Sequence, residues 1–495
     1  MSAIEELKEK YRWIYHFQSA LNLIEWDFET HMPKKAFAKR AEAIGIISSF
    51  VFQYLTSDEL GKLIAQAENE AKSEEDKALV YFAKKDYEKQ RKIPPKLWQK
   101  FSVETSKAQA IWEEAKEKSD FSIYADQLEK VVEIVIEIAE KIGYERNRYD
   151  ALLDFFEPGM TTEKLNELIP PLKKFLTEAV NKITEKEKPT DMFRKYEFDI
   201  QKQKELSKKV LEIMGYDFGA GRIDISAHPF TTTIGPYDVR ITTRYDVHDL
   251  KNSFYSTVHE GGHALYEQGI PEEYRGLPIG DGASMAIHES QSRFWENIVA
   301  RSLPFWKFFK PIAEEYFEIF KEYSAEDIWR ASNIVERSLI RTEADEVTYN
   351  LHIMLRFDIE EALINRKIKV KDLPRVWNEK MKEYIGIVPS NDREGVLQDV
   401  HWAHGTFGYF PSYMLGNLYS AQIYYALLND IDFDKEIELG NFDKILNWLR
   451  KKVHRKARTK EPNKLIKEIS GEELSEGYFI KYIKEKYKKV YNIKL

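Results

Sequence analysis

Apolar residues recur at three- and four-residue intervals through most of this chain, so its fold must be built mainly from amphipathic helices. That period predicts helices over 4–29, 34–55, 75–91, 96–118 and 121–147. Pro94-Pro95 stands where a helix begins, which suits proline at the first helical position. Pro158-Gly159 and Pro170-Pro171 punctuate the next stretch before helical periodicity resumes to about residue 215. The one break in the pattern is 222–247. There Tyr237, Val239 and Ile241 alternate with Asp238, Arg240 and Thr242, the period of a strand, after a turn at Gly235-Pro236. No internal repeat or low-complexity linker interrupts the chain, which predicts one mostly helical domain over 1–495 with a small sheet.

Composition narrows the class. With 43% hydrophobic and 32% charged residues, a chain of 495 residues can fill a large core and still remain in water. The net charge of -8, with cations interspersed among acids except over Arg450 to Lys460, predicts neither nucleic-acid nor membrane binding. The absence of cysteine excludes disulfides, thiolate metal sites and cysteine nucleophiles. The N-terminus is charged, and no apolar run reaches the length of a membrane span, about 18 residues. These features predict a soluble, cytoplasmic protein. Heavy use of Lys and Glu with only 22 Gly follows the compositional tendency of thermophilic proteins.

The break in the helical pattern leads directly into His259-Glu260-Gly261-Gly262-His263. On a helix, positions i and i+4 share a face, so His259 and His263 can turn two imidazoles toward one metal ion. Glu260 is then close enough to act on a metal-bound water without being a ligand, the core of a zinc peptidase. The blander alternative is a helix with two half-buried histidines and a surface glutamate. Two glycines argue against it, since each costs about 1 kcal/mol relative to alanine inside a helix. They are useful where a metal or another backbone must come close.

A catalytic zinc usually takes three protein ligands. The metzincin spacing needs Gly and His at the third and sixth positions after the second histidine, where this chain has Tyr266 and Gly269. The alternative is a ligand on a following helix. After Gly280-Asp281-Gly282 come His288 and Glu289, and because adjacent helical residues diverge by about 100°, only one of them can face the metal.

Further motifs are spread along the chain: Trp26-Asp27 with Met32-Pro33, His228-Pro229-Phe230, Asp238-x-Arg240-x-Thr242 and His288-Glu289-Ser290-Gln291. Ile340-Arg341-x-x-Ala344-Asp345 and Gly395-x-x-Gln398-Asp399-x-His401-Trp402 follow. Together with the histidine motif they resemble the thermostable carboxypeptidase 1, or carboxypeptidase Taq, family of metallocarboxypeptidases. The resemblance implies a mainly helical, two-sided deep-cleft fold similar to neurolysin and angiotensin-converting enzyme, with a small sheet beside the zinc helix. It implies a homodimer that removes single residues from peptide C-termini with broad specificity, using one Zn2+ or Co2+ per subunit. It also selects Glu289 as the third ligand and leaves His288 behind the metal or lining the cleft.

Within that resemblance, Glu260 takes the proton of the attacking water and passes one to the leaving amine. Developing oxyanion charge needs donors, and HWAHGTFGYFPSY offers His401, His404, Tyr409 and Tyr413. Likeness to related helical peptidases favours His401 with Tyr413, and Tyr409 after it. An exopeptidase must also hold the terminal carboxylate, for which arginine's planar fork is suited. Arg240 on the polar strand face and Arg341 on a helix are the candidates. Spacing alone reads Arg341 as the surface partner of Asp345, and the family pattern reverses that. His228, Asp238, Gln398 and His288 join the substrate-side set by the same motifs. A thimet-type oligopeptidase cutting internal bonds, and a non-catalytic helical peptide-binding scaffold, are the competing readings.

Overall fold

The structure, a computed structural model, describes residues 1–495 except for the side chain of Phe37. The molecule is mainly helical with a single three-stranded sheet among the described residues, as the periodicity predicts. Helices Ala3–Thr30, Phe37–Leu55, Glu74–Arg91, Pro95–Lys118 and Ser122–Ile142 fall where expected. Their ends follow local chemistry. Ser2 caps the first by accepting from the Glu5 amide, Pro95 opens the fourth, and Gly143 closes the fifth at φ +86°.

Pro170 and Pro171 are where the reading fails. They lie inside helix Thr162–Thr184 rather than between helices. Leu165, Leu168, Ile169, Leu172 and Leu176 are all buried along that helix, and this packing outweighs the backbone bonds the prolines remove.

The chain divides into two compact units, each assembled from three stretches. The first comprises Met1–Gln90, Pro189–Asn333 and Tyr419–Leu474; the second comprises Arg91–Lys188, Ile334–Leu418 and Ser475–Leu495. No helix among the described residues is long and apolar enough to cross a membrane.

The sheet belongs to the first unit. Its strands β1 (Gly221–Ile225), β2 (Thr231–Gly235) and β3 (Asp238–Thr243) lie in the order β1-β3-β2. β1 runs parallel to β3, and β2 antiparallel to it. Val239 and Ile241 are buried as the alternation predicts, but Tyr237 is not part of that face. It sits in the turn between β2 and β3 at φ +61°, and is 68% exposed. Proline at the first central position and a left-handed residue at the second is the pattern of a type II turn. Thr242, expected on the polar face, is buried, and its hydroxyl fixes the β1–β2 loop through Ser226 Oγ at 2.6 Å and the Phe230 amide at 3.0 Å.

Candidate metal centre

The motif helix, Leu250–Gly269, starts at Asp249, whose carboxylate accepts from the Asn252 amide. It packs between helix Ile200–Met214, β3 and the return helix Met285–Arg293. A Cβ on Gly262 would lie 2.6 Å from Ser292 Cα and 2.8 Å from the Gln291 carbonyl oxygen, so this glycine lets the two helix backbones touch. A Cβ on Gly261 would meet Leu211 and Met214 of helix Ile200–Met214. The doublet is therefore a packing device.

That close approach delivers Glu289 to the two histidines. Its Oε2 is 3.6 Å from His259 Nε2 and 3.3 Å from His263 Nε2, and the three ligand atoms lie within 4.8 Å of one another. Two donors each about 2 Å from a tetrahedral ion stand about 3.3 Å apart, so the set fits one zinc-like ion. Charge fits as well, and with no ion present burial is outweighed by Glu289 and Glu296, which hold the His259 imidazole above its ordinary value. Burial disfavours the Glu289 carboxylate, yet Arg293 and the two histidines outweigh it and hold its carboxyl well below the usual range. Arg293 Nε donates to Glu289 Oε1 at 2.6 Å. Burial pushes the His263 imidazole down to about 4, leaving it neutral as a ligand must be.

Each histidine is backed by a different group. His259 Nδ1 lies 2.9 Å from Glu296 Oε2, a carboxylate presented by the π-helical segment Phe294–Ala300 and braced by Arg301 at 2.9 Å. His263 Nδ1 lies 2.6 Å from His288 Nδ1, and His288 Nε2 lies 2.8 Å from Glu267 Oε1. Both ring nitrogens of His288 are thus engaged by protein, which places it behind a ligand rather than against a substrate.

Glu260 is buried beside the ligands, and its Oε2 accepts from the Thr231 hydroxyl at 2.6 Å. Burial raises its carboxyl above its ordinary value, against the pull of His259 and of that hydrogen bond. Strand β2, not β3, therefore supplies the hydroxyl contact to the motif glutamate. On β3, Arg240 pairs with Asp238 through two bonds of 2.7 Å and stacks 4.4 Å from the Trp26 ring. His228 is exposed in the β1–β2 loop, where its carbonyl oxygen accepts from Ser226 at 2.6 Å.

The remaining candidates form a second cluster, within the second unit. Arg341 lies in the short 3-10 turn Arg341–Glu343, not on an α-helix, and its partner is Asp399 rather than Asp345. Its Nε and Nη2 reach Asp399 Oδ1 at 3.0 and 2.8 Å, and its Nη1 reaches the Tyr349 hydroxyl at 3.0 Å. Arg356 holds the other carboxylate oxygen of Asp399 at 2.7 Å. Gln398 is a brace: its Oε1 accepts from the Arg341 amide and Arg356, while its Nε2 donates to the Glu394 carbonyl. His401 Nε2 lies 3.1 Å from the Tyr413 hydroxyl, and the Tyr409 ring packs 5.1 Å from that of Tyr413. Burial pushes His401 down to about 3, so the ring is neutral. His404 is exposed and meets Gln109 instead.

Sequence reasoning missed Glu296, Glu267, Arg293 and Glu360. Glu267 and Arg293 each stand four residues beyond a metal ligand, a spacing that could have flagged them. Glu360 is fully buried and accepts from Tyr149, Trp402 and the Gly408 amide at 2.6, 2.9 and 3.0 Å, pinning the loop that carries His401. Nothing in its local sequence marks it.

Comparison with known proteins places this geometry in a family. Residues 6–487 match the family model described as carboxypeptidase Taq (M32) metallopeptidase. Carboxypeptidase 1 of Bacillus subtilis is 45% identical over 97% of this chain and 96% of its own. Thermostable carboxypeptidase 1 of Pyrococcus furiosus is 41% identical over 98% of both chains. The crystal structure of the M32 carboxypeptidase of Deinococcus radiodurans superposes with a TM-score of 0.96 at 34% identity, covering 99% of this chain and 100% of that one. With the donor set and the full length of the fold in agreement, the chain belongs to the carboxypeptidase Taq family and is a metallocarboxypeptidase.

Proposed function

We propose that this enzyme removes single amino acids from the free C-termini of peptides with broad specificity, using one zinc ion held by His259, His263 and Glu289 and Glu260 as general base. Three converging ligand atoms with a buried, hydroxyl-anchored carboxylate one residue from a ligand carry this reading. A divalent ion bound there polarises the scissile carbonyl and lowers the pKa of water toward about 7. Glu260, its carboxyl raised by burial, accepts the proton of the attacking water and delivers it to the leaving amine. The Thr231 hydroxyl fixes one carboxylate oxygen, which keeps the other aimed during both transfers. His401 and Tyr413, with Tyr409 beside them in the second unit, are the candidate donors to the oxyanion, and Arg341 and Arg240 are each a candidate for recognising the terminal carboxylate. The enzyme acts as a homodimer, with cobalt able to replace zinc.

Glu260→Gln preserves shape and removes the base. The variant should bind one equivalent of zinc with native affinity while kcat falls at least about 1,000-fold. Turnover within tenfold of native would remove Glu260 from this role. Mass spectrometry of products from an unblocked peptide should show a ladder of single-residue losses, whereas internal fragments would favour an oligopeptidase.

A further inference from the structure

His263 and His288 meet nitrogen to nitrogen, with the two Nδ1 atoms 2.6 Å apart and the ring centroids 4.7 Å apart. Only one proton fits between them, and which ring carries it decides whether His263 can bind a metal. If His263 holds the proton on Nδ1, its Nε2 is bare toward Glu289. If His288 donates instead, a neutral His263 must carry its hydrogen on Nε2, and the ligand position is blocked.

The remaining contacts settle this. His288 Nε2 lies 2.8 Å from Glu267 Oε1. The other oxygen of Glu267 accepts from Arg275 at 2.7 Å and from the Thr233 hydroxyl at 2.9 Å. A carboxylate paired with an arginine only accepts, so His288 must donate from Nε2. With His263 Nε2 open toward the ligand position, the His263 hydrogen sits on Nδ1 and is donated to His288 Nδ1. The order runs Arg275 to Glu267 to His288 to His263, each link setting the polarity of the next. Glu267 lies one turn beyond His263 on the motif helix, and His288 adjoins Glu289 on the return helix, so the ligand-bearing helices carry every member of the relay but Arg275, which lies between them.

We propose that Glu267 and His288 are positioning residues that fix the metal-binding tautomer of His263 through an imidazole relay. The arrangement differs from that at His259, which donates straight to Glu296. The proposal rests on the metal-centre reading and goes beyond it by assigning a proton order to residues outside the ligand set.

Glu267→Gln tests it with an isosteric change. Arg275 offers only donors, so the amide turns its oxygen to Arg275 and its NH2 to His288 Nε2. His288 then donates from Nδ1, and His263 is forced into the blocked tautomer. Zinc affinity, measured by chelator competition on the full chain, should fall about 10–100-fold in Glu267→Gln and in His288→Phe. The visible absorption of the cobalt-loaded protein should weaken or shift in both variants, and His263→Ala should abolish binding. Loss of affinity with native circular dichroism and a native chelator-treated unfolding midpoint supports the relay. Native affinity in both variants, while His263→Ala fails to bind, overturns it and leaves the metal centre standing. Native affinity in His263→Ala overturns the metal centre itself.

Discussion

Arg341 shows how much one side chain's partners decide. The residue is 7% exposed, and its guanidinium shares the single carboxylate of Asp399 with Arg356. Two cations against one anion leave this cluster with a surplus positive charge, and a buried unbalanced charge is costly. The rings of Tyr413 and Phe410 lie 5.0 and 5.7 Å from the Arg341 guanidinium and soften that cost without cancelling it. An incoming carboxylate would supply the missing anion. Arg341→Ala should therefore lower kcat/KM on free-carboxylate peptides about 100-fold, the loss of a charged hydrogen bond of about 3 kcal/mol. Cleavage of C-terminally amidated analogues, which lack the recognised charge, should change little, and zinc content should stay native. Equal losses on both substrates would remove carboxylate recognition from Arg341. The pairing with Asp399 was not legible in the sequence because 58 residues separate the two, whereas the i,i+4 arithmetic pointing to Asp345 assumed a helix that is a 3-10 turn.

At the scale of elements, the motif helix and the return helix work as one piece because Gly262 brings their backbones together. Adding one methyl there cannot be absorbed by a flexible side chain, since the obstructing atoms are Ser292 Cα and the Gln291 carbonyl. Gly262→Ala should cost about 1–3 kcal/mol and displace the helix that carries Glu289, lowering both the unfolding midpoint and zinc affinity. Gly261→Ala should be milder, because the ends of Leu211 and Met214 can give way. If Gly262→Ala melts and binds zinc like the native protein, close helix contact is not what this glycine serves. A second element depends on Glu360. Burial pushes its carboxyl up to about 7 from an ordinary 4.5, against its hydrogen bonds to Tyr149, Gly408 and Trp402. Between those pH values the folded chain holds a proton that the unfolded chain releases. Stability from this group is therefore greatest at low pH and falls by about 3 kcal/mol as pH rises through the window. In chelator, the midpoint of the native protein relative to Glu360→Gln should fall between pH 4.5 and 7.5, and a constant difference would contradict the assignment. Helices such as Pro95–Lys118 and Ser122–Ile142 were legible because periodicity and end signals agreed. Pro170-Pro171 misled because local propensity was overridden by buried leucines. Glu360 was invisible because its three donors come from distant loops and helices.

For the whole molecule, the division into two units, each of three interleaved stretches, could not be read from a pattern that is equally helical in both. The ligands are more local than the fold: His259, His263 and Glu289 come from two adjacent helices of the first unit. That placement makes a definite prediction for metal removal. Binding to the folded state alone stabilises by RT ln(1 + [M]/Kd), about 4 kcal/mol when the ion is at a thousand times its Kd. The site does not need the ion to balance its charges, because Arg293 already meets both Glu289 and Glu296, and the histidines have protein partners on Nδ1. The chelated protein should therefore lose all activity and show a lower unfolding midpoint while keeping its helical circular dichroism at 25 °C. Amide exchange should quicken mainly in Leu250–Gly269 and Met285–Arg293, where the lost bonds were anchored. Re-addition of zinc should restore activity and slow exchange together. A chelated chain that loses its helical signal would show instead that the ion is needed to fold the first unit, and that Arg293 does not balance the empty ligand set.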